Sequence, residues 1–117
     1  MGGSGRTRLG GPSITYEQED RMLNTLIAAI QERRYISFTY SGLTREAQPV
    51  AVGISRAGND VLRCYQTAGG HVKSGHEWDL CELSKIRDLH VLATTFQAPP
   101  QGYRPGDKHM RQIYAEL

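Results

Sequence analysis

The residues best suited to chemistry are an arginine and a tyrosine two positions apart, Arg63 and Tyr65, in a segment with the alternation of a β-strand. Side chains two residues apart on a strand lie on the same face of a sheet. A guanidinium can bind a phosphate through two hydrogen bonds, and an aromatic ring can stack on a base. The pair therefore predicts a site for an anionic ligand that carries a ring. A surface arginine that covers a half-buried tyrosine explains the same pattern about equally well.

Two further cations, Arg45 and Lys85, could join this site if the sheet brings their strands alongside. Taken alone, each is better explained as a solvated surface charge. Tyr40 ends an alternating apolar face, so we expect its ring to pack in the core with the hydroxyl at the rim. We include Tyr40 among the candidate ligand-binding residues.

The loop of residues 69–76 combines three glycines with two histidines, a lysine and a serine. Backbone amides beside Lys73 could hold phosphate oxygens, with His71 as a further donor. The spacing of a Walker loop is absent. An ordinary surface loop accounts for this composition about as well.

Catalytic and metal-binding functions have weaker support. His71 and His76 could act as acid and base across a phosphate, as in a small nuclease or phosphodiesterase, but no carboxylate cluster for Mg²⁺ accompanies them. Zinc sites pair their ligands two to four residues apart, which Cys64 and Cys81 do not. We therefore expect no catalytic residue, no metal and no cofactor, and we expect both cysteines to be small core residues.

The composition sets limits on the class of protein. The chain has 117 residues, enough for one domain, and a net charge of only +2 from 14 basic and 12 acidic residues. Any affinity for anions must therefore come from local clustering of charge. The sequence has neither an apolar run that would span a membrane nor the pattern of a signal peptide. We expect a cytoplasmic protein with reduced thiols.

The pattern of residues predicts one domain over 14–117, after a glycine-rich leader or cloning remnant at 1–13. Thr15 and Gln18 have the spacing of a capping box at the start of an amphipathic helix, and Trp78 and Leu80 are expected in the core beneath it. Predicted elements are a helix at 16–34, strands at 35–40, 44–54, 61–66, 76–83 and 89–96, and a short C-terminal helix at 107–116. The fold class is α+β and mostly β, a strongly bent antiparallel sheet or small barrel of about five strands.

Several of these segments resemble the WYL domain family. Residues 26–40, a helix ending in basic residues followed by Ile-Ser-Phe-Thr-Tyr, resemble the opening of that domain. Arg45 followed by Pro49 resembles the return strand, residues 62–65 the central strand, and residues 78–86 the last motif. The resemblance covers about two thirds of the chain and depends on the order and spacing of the motifs.

The chain also departs from the family pattern. Only Leu62 is kept of the Trp-Tyr-Leu triplet, Cys81 replaces a usual aromatic residue, and Lys85 replaces a usual arginine. The residues before Tyr16 are too few for the helix-turn-helix that often precedes the domain, so we do not expect this chain to read promoter DNA by itself. The loop at 69–76 and the tail at 96–108 resemble a compact, stand-alone branch of the family.

The resemblance implies an Sm-like or SH3-like small β-barrel that senses ligands in bacteria and their phages, with a nucleotide or nucleic acid as the inferred ligand. The expected function is thus non-enzymatic and regulatory, the capture of a nucleotide or short single strand by a homo-oligomeric protein. The alternative from another class is a protein-interaction module. It would dimerise or dock on a partner through an exposed edge strand near Pro49, or exchange its predicted C-terminal helix, with Met110, Ile113 and Tyr114, between protomers.

Overall fold

The computed structural model describes residues 14–69 and 75–117, which form one antiparallel sheet with a helix packed on it. The domain is therefore α+β and mostly β, as predicted, and all five predicted strands are present. In chain order the elements are α1 (Tyr16–Gln31), β1 (Arg34–Tyr40), β2 (Leu43–Ser55), β3 (Asp60–Gly69), β4 (Trp78–Glu82), a 3-10 turn (Leu83–Lys85), β5 (Arg87–Thr95) and β6 (Met110–Glu116).

The sheet has six strands in the order β4-β3-β2-β1-β5, with β6 paired to β2. No pairing joins β4 to β5 in the part of the chain that the structure describes, so the sheet is not a closed barrel. None of the described helices is long and apolar enough to cross a lipid bilayer.

The predicted capping box begins α1. The Thr15 hydroxyl accepts a hydrogen bond from the Gln18 amide at 3.1 Å, and the Gln18 side chain accepts one from the Thr15 amide at 2.8 Å. The helix ends at Gln31 and not at residue 34 as predicted, because Arg33 adopts a left-handed conformation with φ 53° and Arg34 already belongs to β1. The expected basic residues in its last turn are therefore absent.

Strand β2 organises the sheet. Its first half pairs with β1, with Ala47 opposite Ile36, and its second half pairs with β6, with Val52 opposite Ala115. The register with β3 shifts between Pro49 and Ala51, at a proline that has no N–H to donate to the ladder. One long strand thus supports three neighbours.

The predicted C-terminal helix is wrong, because residues 110–116 form strand β6. Met110 and Ile113 are three residues apart, a spacing that suggests one face of a helix. In the structure both contact one apolar cluster on the outer face of the sheet, because the register between β6 and β2 shifts within the strand. Such a shift changes the phase of the alternation and hides the period of two. At Gly53 the β6 backbone approaches closely, and a Cβ there would lie 2.1 Å from the Gln112 carbonyl oxygen.

Apolar residues cover both faces of the sheet. The larger cluster lies between α1 and the inner face and includes Leu26, Phe38 and Leu62, each at most 1% exposed. Cys64 and Cys81 are buried in it as free thiols, which confirms their expected place in the core. The Cys81 thiol and burial together raise the pKa of the Cys64 thiol well above its ordinary value, so it remains protonated.

The smaller cluster lies on the outer face, around Val50, Val61 and Met110, with Trp78 and Leu80 packed against it. The expectation that Trp78 and Leu80 lie under the helix is therefore wrong. Strand β4 pairs with β3 so that Trp78 stands opposite Tyr65 and Leu80 opposite Arg63, both on the outer face. The alternation of residues predicts that Trp78 and Leu80 share one face of the sheet. Which face they share is set by the register of β4 with β3.

The close approach at Gly53 gives the first prediction. In Gly53→Ala the new methyl group has no room against β6, so we expect the free energy of unfolding to fall by about 1–3 kcal/mol. Urea denaturation measures this loss, and hydrogen exchange should show β6 amides losing protection. Gly58→Ala is the control for backbone strain alone. Gly58 has a φ of 93°, which strains an alanine, but no atom lies within 4 Å of the new Cβ. Unchanged protection of β6 in Gly53→Ala would contradict the assignment of this contact.

Candidate functional site

A groove of about 500 Å³ opens on the outer face of β2 and β3, beneath the segment that connects β5 to β6. Its floor is apolar, formed by Val50 and Ala51, and Trp78 and Tyr103 supply aromatic walls. We call this feature the outer groove. The polar side chains that line it are Arg63 from β3 and Arg104, Asp107, Lys108 and His109 from the connecting segment.

The ion pair between Arg63 and Asp107 joins β3 to the connecting segment. Arg63 Nε donates to Asp107 Oδ2 at 2.7 Å, and Arg63 Nη2 lies 3.4 Å from Asp107 Oδ1. The two side chains are 20% and 9% exposed, so the pair is largely removed from water. The His109 backbone N–H also donates to Asp107 Oδ1, at 2.9 Å. Asp107 is thus fixed by both elements.

These contacts decide the ionisation of Asp107. Burial acts to raise the pKa of its carboxyl group, but hydrogen bonds from Arg63 and the His109 backbone, with the positive charge of Arg63, outweigh burial. The pKa of Asp107 therefore lies below its ordinary value of 3.8. The carboxylate is ionised at neutral pH and holds the guanidinium in place.

The His109 ring completes this cluster. Its Nδ1 lies 3.0 Å from Arg63 Nη2 and 3.4 Å from Asp107 Oδ1, while the side chain is 57% exposed. The edge of the Arg63 guanidinium formed by Nε and Nη2 therefore faces Asp107, and Nη2 also contacts the His109 ring. Its Nη1 makes no hydrogen bond to the residues that the structure describes.

Several hydrogen bonds hold the connecting segment over the groove. The Trp78 indole N–H donates to the Gln101 carbonyl at 3.2 Å, and the Tyr103 hydroxyl donates to the Leu117 carbonyl at 2.9 Å. Arg56 Nε donates to the Lys108 carbonyl at 2.8 Å. Burial, followed by the charge of Glu116, raises the pKa of Tyr103, so its hydroxyl keeps the proton that it donates.

Two other predicted binding residues, Arg45 and Tyr40, lie on the inner face. Arg45 Nη1 is 2.8 Å from Asp79 Oδ2, and its guanidinium carbon lies 5.4 Å from the centre of the Tyr40 ring. The Tyr40 hydroxyl accepts from the Glu82 backbone N–H at 3.1 Å, and burial is the main cause that raises the pKa of Tyr40. Arg45 Nε is buried without a hydrogen-bond partner among the described residues.

The sheet therefore divides the predicted set. Arg63 and Tyr65 share the outer face, and Tyr65 contacts the Trp78 ring edge to face at 5.2 Å. Arg45 is on the opposite face, with Asp79, which stands opposite the inward-facing Cys64.

The structure does not bring Lys85 to either group. It lies in the 3-10 turn, 64% exposed, with its Nζ 3.8 Å from a Glu82 carboxylate oxygen. Lys73 and His71 fall outside the described residues.

Sequence reasoning missed most of the groove. The sequence pattern predicts Trp78 in the core beneath the helix and does not indicate Arg104, Asp107, Lys108 or His109 as site residues. A signal was present, since Tyr103-Arg104-Pro105-Gly106-Asp107-Lys108 places an aromatic ring and two cations among turn-forming residues. Only the fold shows that this segment lies over Arg63.

The arrangement can hold an anion beside an aromatic ring. Within residues 14–69 and 75–117, no three histidine, cysteine, aspartate or glutamate side chains gather closely enough to hold a metal ion. The outer groove offers hydrogen-bond donors, ring faces and an apolar floor. These are the properties of a binding site.

No protein-family model, curated protein or solved structure matches the chain.

The Arg63–Asp107 pair gives a prediction about pH. Because the pKa of Asp107 is lower in the folded chain than in the unfolded one, the carboxylate stabilises the fold above about pH 3.9. This contribution is lost as the pH falls through the folded pKa. We expect Asp107→Asn to lose about 2 kcal/mol of unfolding free energy at neutral pH, since Arg63 keeps its charge without a counter-ion.

The measurement is urea denaturation of wild type and Asp107→Asn at a series of pH values. The difference between the two proteins should shrink as the pH falls below about 3.9. Asp88→Asn is the control, because Asp88 is exposed on β5. A difference that stays constant down to low pH would show that the ion pair is not its cause.

Proposed function

We propose that this chain is a non-enzymatic, regulatory binding module that captures a nucleotide or a short single-stranded nucleic acid in the outer groove. The observation that carries this proposal is a positioned, largely buried guanidinium, Arg63, at the base of a groove with aromatic walls. A guanidinium can bind a phosphate group through hydrogen bonds, and a base can stack on the aromatic walls.

The charges of the groove support an anionic ligand. The described residues of the lining include three cationic side chains, Arg63, Arg104 and Lys108, and one carboxylate, Asp107, which is paired with Arg63. Arg104 and Lys108 line the groove and are exposed, so their side chains can approach a ligand from the rim. The surplus of positive charge would attract a phosphate group from a distance and hold it near Arg63.

The shape of the groove supports a ligand with a ring. Its volume of about 500 Å³ lies within the range of small-molecule sites. A base could lie against Trp78 or Tyr103 while its phosphate binds Nη1 of Arg63, which has no hydrogen-bond partner among the described residues. Tyr65 supports the Trp78 ring edge to face, so in this proposal it positions the aromatic wall.

We also propose that the chain is a WYL-like domain with an Sm-like architecture. A helix that precedes the sheet, the strand order β4-β3-β2-β1-β5 and a 3-10 turn between β4 and β5 support this likeness. The motif resemblance in residues 23–96 supports the same family. The nucleotide or nucleic acid ligand inferred for that family agrees with the chemistry of the groove.

The test is a thermal-shift and titration screen against nucleotides, cyclic dinucleotides and short DNA and RNA strands. We expect a ligand-specific rise in melting temperature and an affinity that falls with salt, because phosphate binding releases counter-ions. Arg63→Ala should weaken binding by about 1–3 kcal/mol, as expected for the loss of a charge-assisted contact. Arg21→Ala, an exposed arginine of α1, should bind as wild type.

A second variant separates binding from folding. Arg63→Ala leaves Asp107 buried without its partner, whereas Lys108→Ala removes a charge from the exposed rim and should leave the melting temperature unchanged. We expect Lys108→Ala to bind more weakly and to show a shallower salt dependence. A screen that is flat for every ligand would contradict the proposal and favour the protein-interaction module.

A further inference from the structure

His109 stands where it can control how Arg63 is used. Its Nδ1 is within 3.0 Å of Arg63 Nη2 and 3.4 Å of Asp107 Oδ1, so one ring nitrogen faces both a cation and an anion. The ring is 57% exposed and lines the outer groove. The proton on this nitrogen therefore determines which of the two neighbours it can contact.

An arginine side chain only donates hydrogen bonds, so the short contact between Arg63 Nη2 and His109 Nδ1 requires Nδ1 to accept. The imidazole is then neutral, with its proton on Nε2. In this state Arg63 donates the Nε hydrogen and one Nη2 hydrogen to the Asp107 carboxylate. It donates the other Nη2 hydrogen to His109 Nδ1. Within the described part of the chain, Nη1 is then the nitrogen of Arg63 left for a ligand.

Protonation of His109 reverses this arrangement. A protonated Nδ1 carries a hydrogen, which cannot face the N–H of Arg63 and finds its nearest acceptor in Asp107 Oδ1. A small rotation of the ring toward Asp107 releases the Nη2 hydrogen of Arg63. The end of the guanidinium, with Nη1 and Nη2 side by side, is then free to bind an oxyanion through two hydrogen bonds.

The surrounding charges are set by three segments of the chain. Asp107 and Lys108 flank the ring on its own segment, Arg63 faces it from β3, and Arg104 lies in the same groove. Arg56 reaches the neighbouring Lys108 carbonyl. Among the described residues of the lining Asp107 carries the one carboxylate, and Glu116 of β6 accepts a hydrogen bond from the Gly106 N–H of the same segment. Asp107 Oδ1 lies 3.4 Å from the ring, so a protonated ring is drawn to it.

We propose that protonation of His109 transfers its Nδ1 contact from Arg63 to Asp107 and thereby opens the guanidinium to a ligand oxyanion, which makes anion binding in the outer groove proton-linked. This inference rests on the proposed function, since it concerns the same groove. It adds a regulatory role for a residue that the binding proposal itself does not use. Capture would be strongest under mildly acidic conditions.

The first experiment measures affinity for a dinucleoside monophosphate, ApA or TpT, between about pH 8 and about pH 5.5. Its phosphodiester keeps one negative charge over this range, so only the protein changes charge. We expect affinity to rise roughly fivefold toward the acidic end. In His109→Gln, which still offers an acceptor to Arg63 but cannot gain a proton, the rise should disappear. His90→Gln, an exposed histidine on β5, is the matched control.

The second experiment needs no nucleotide. NMR follows the His109 ring and the side-chain N–H signals of Arg63 through the same pH range, with and without sulfate, whose charge is constant there. We expect the Arg63 signals to shift at the midpoint of the His109 titration, and sulfate to move them more at the acidic end. If the Arg63 signals do not change as the His109 ring is protonated, the inference is overturned, even if nucleotides bind.

The two experiments separate the two proposals. If no dinucleotide binds but the Arg63 signals follow His109 and respond to sulfate, the switch stands and the nucleotide proposal fails. If dinucleotides bind with the same pH dependence in wild type and His109→Gln, the binding proposal stands and the switch is wrong.

Discussion

The outer groove depends on one interaction, the ion pair between Arg63 on β3 and Asp107 in the segment that connects β5 to β6. Its two side chains are mostly removed from water, so separating them would leave a buried charge on each side. The pair fixes the segment over the sheet and aims the guanidinium along the groove. Tyr103 and Lys108 belong to this segment and line the groove with it. Trp78 is placed on the outer face by the pairing of β4 with β3, and its indole N–H then donates to the segment at Gln101.

A second constraint is the period of two along each strand, which sorts side chains onto opposite faces. On β3, Cys64 faces the core under α1 while Arg63 and Tyr65 lie on the outer face, where Arg63 lines the outer groove. The same rule places Arg45 with Asp79 on the inner side. Two arginine–aspartate pairs therefore lie on opposite faces of one thin sheet, and only the outer one opens into the groove.

The parts of the fold that follow from local pattern could be predicted from the sequence. The capping box at Thr15, the five alternating strands and the buried Cys64 and Cys81 are examples, because each depends on neighbours in the chain. Strand β6 could not be recognised, since its pairing requires the missing Cβ of Gly53 and register shifts that remove the alternation. The groove depends on the contact of Arg63 with a residue 44 positions away, which no local pattern reveals.

The most direct test of this account is to map, residue by residue, where a dinucleoside monophosphate perturbs the amide and indole NMR signals of the full chain. We expect the largest changes at the Trp78 indole, at Arg63 and along the segment from Tyr103 to His109. Changes confined to Tyr40, Arg45 and Lys85, on the other side of the sheet or beyond its edge, would contradict it. The ligand would then bind away from the Arg63–Asp107 pair, and the outer groove would not be the functional site.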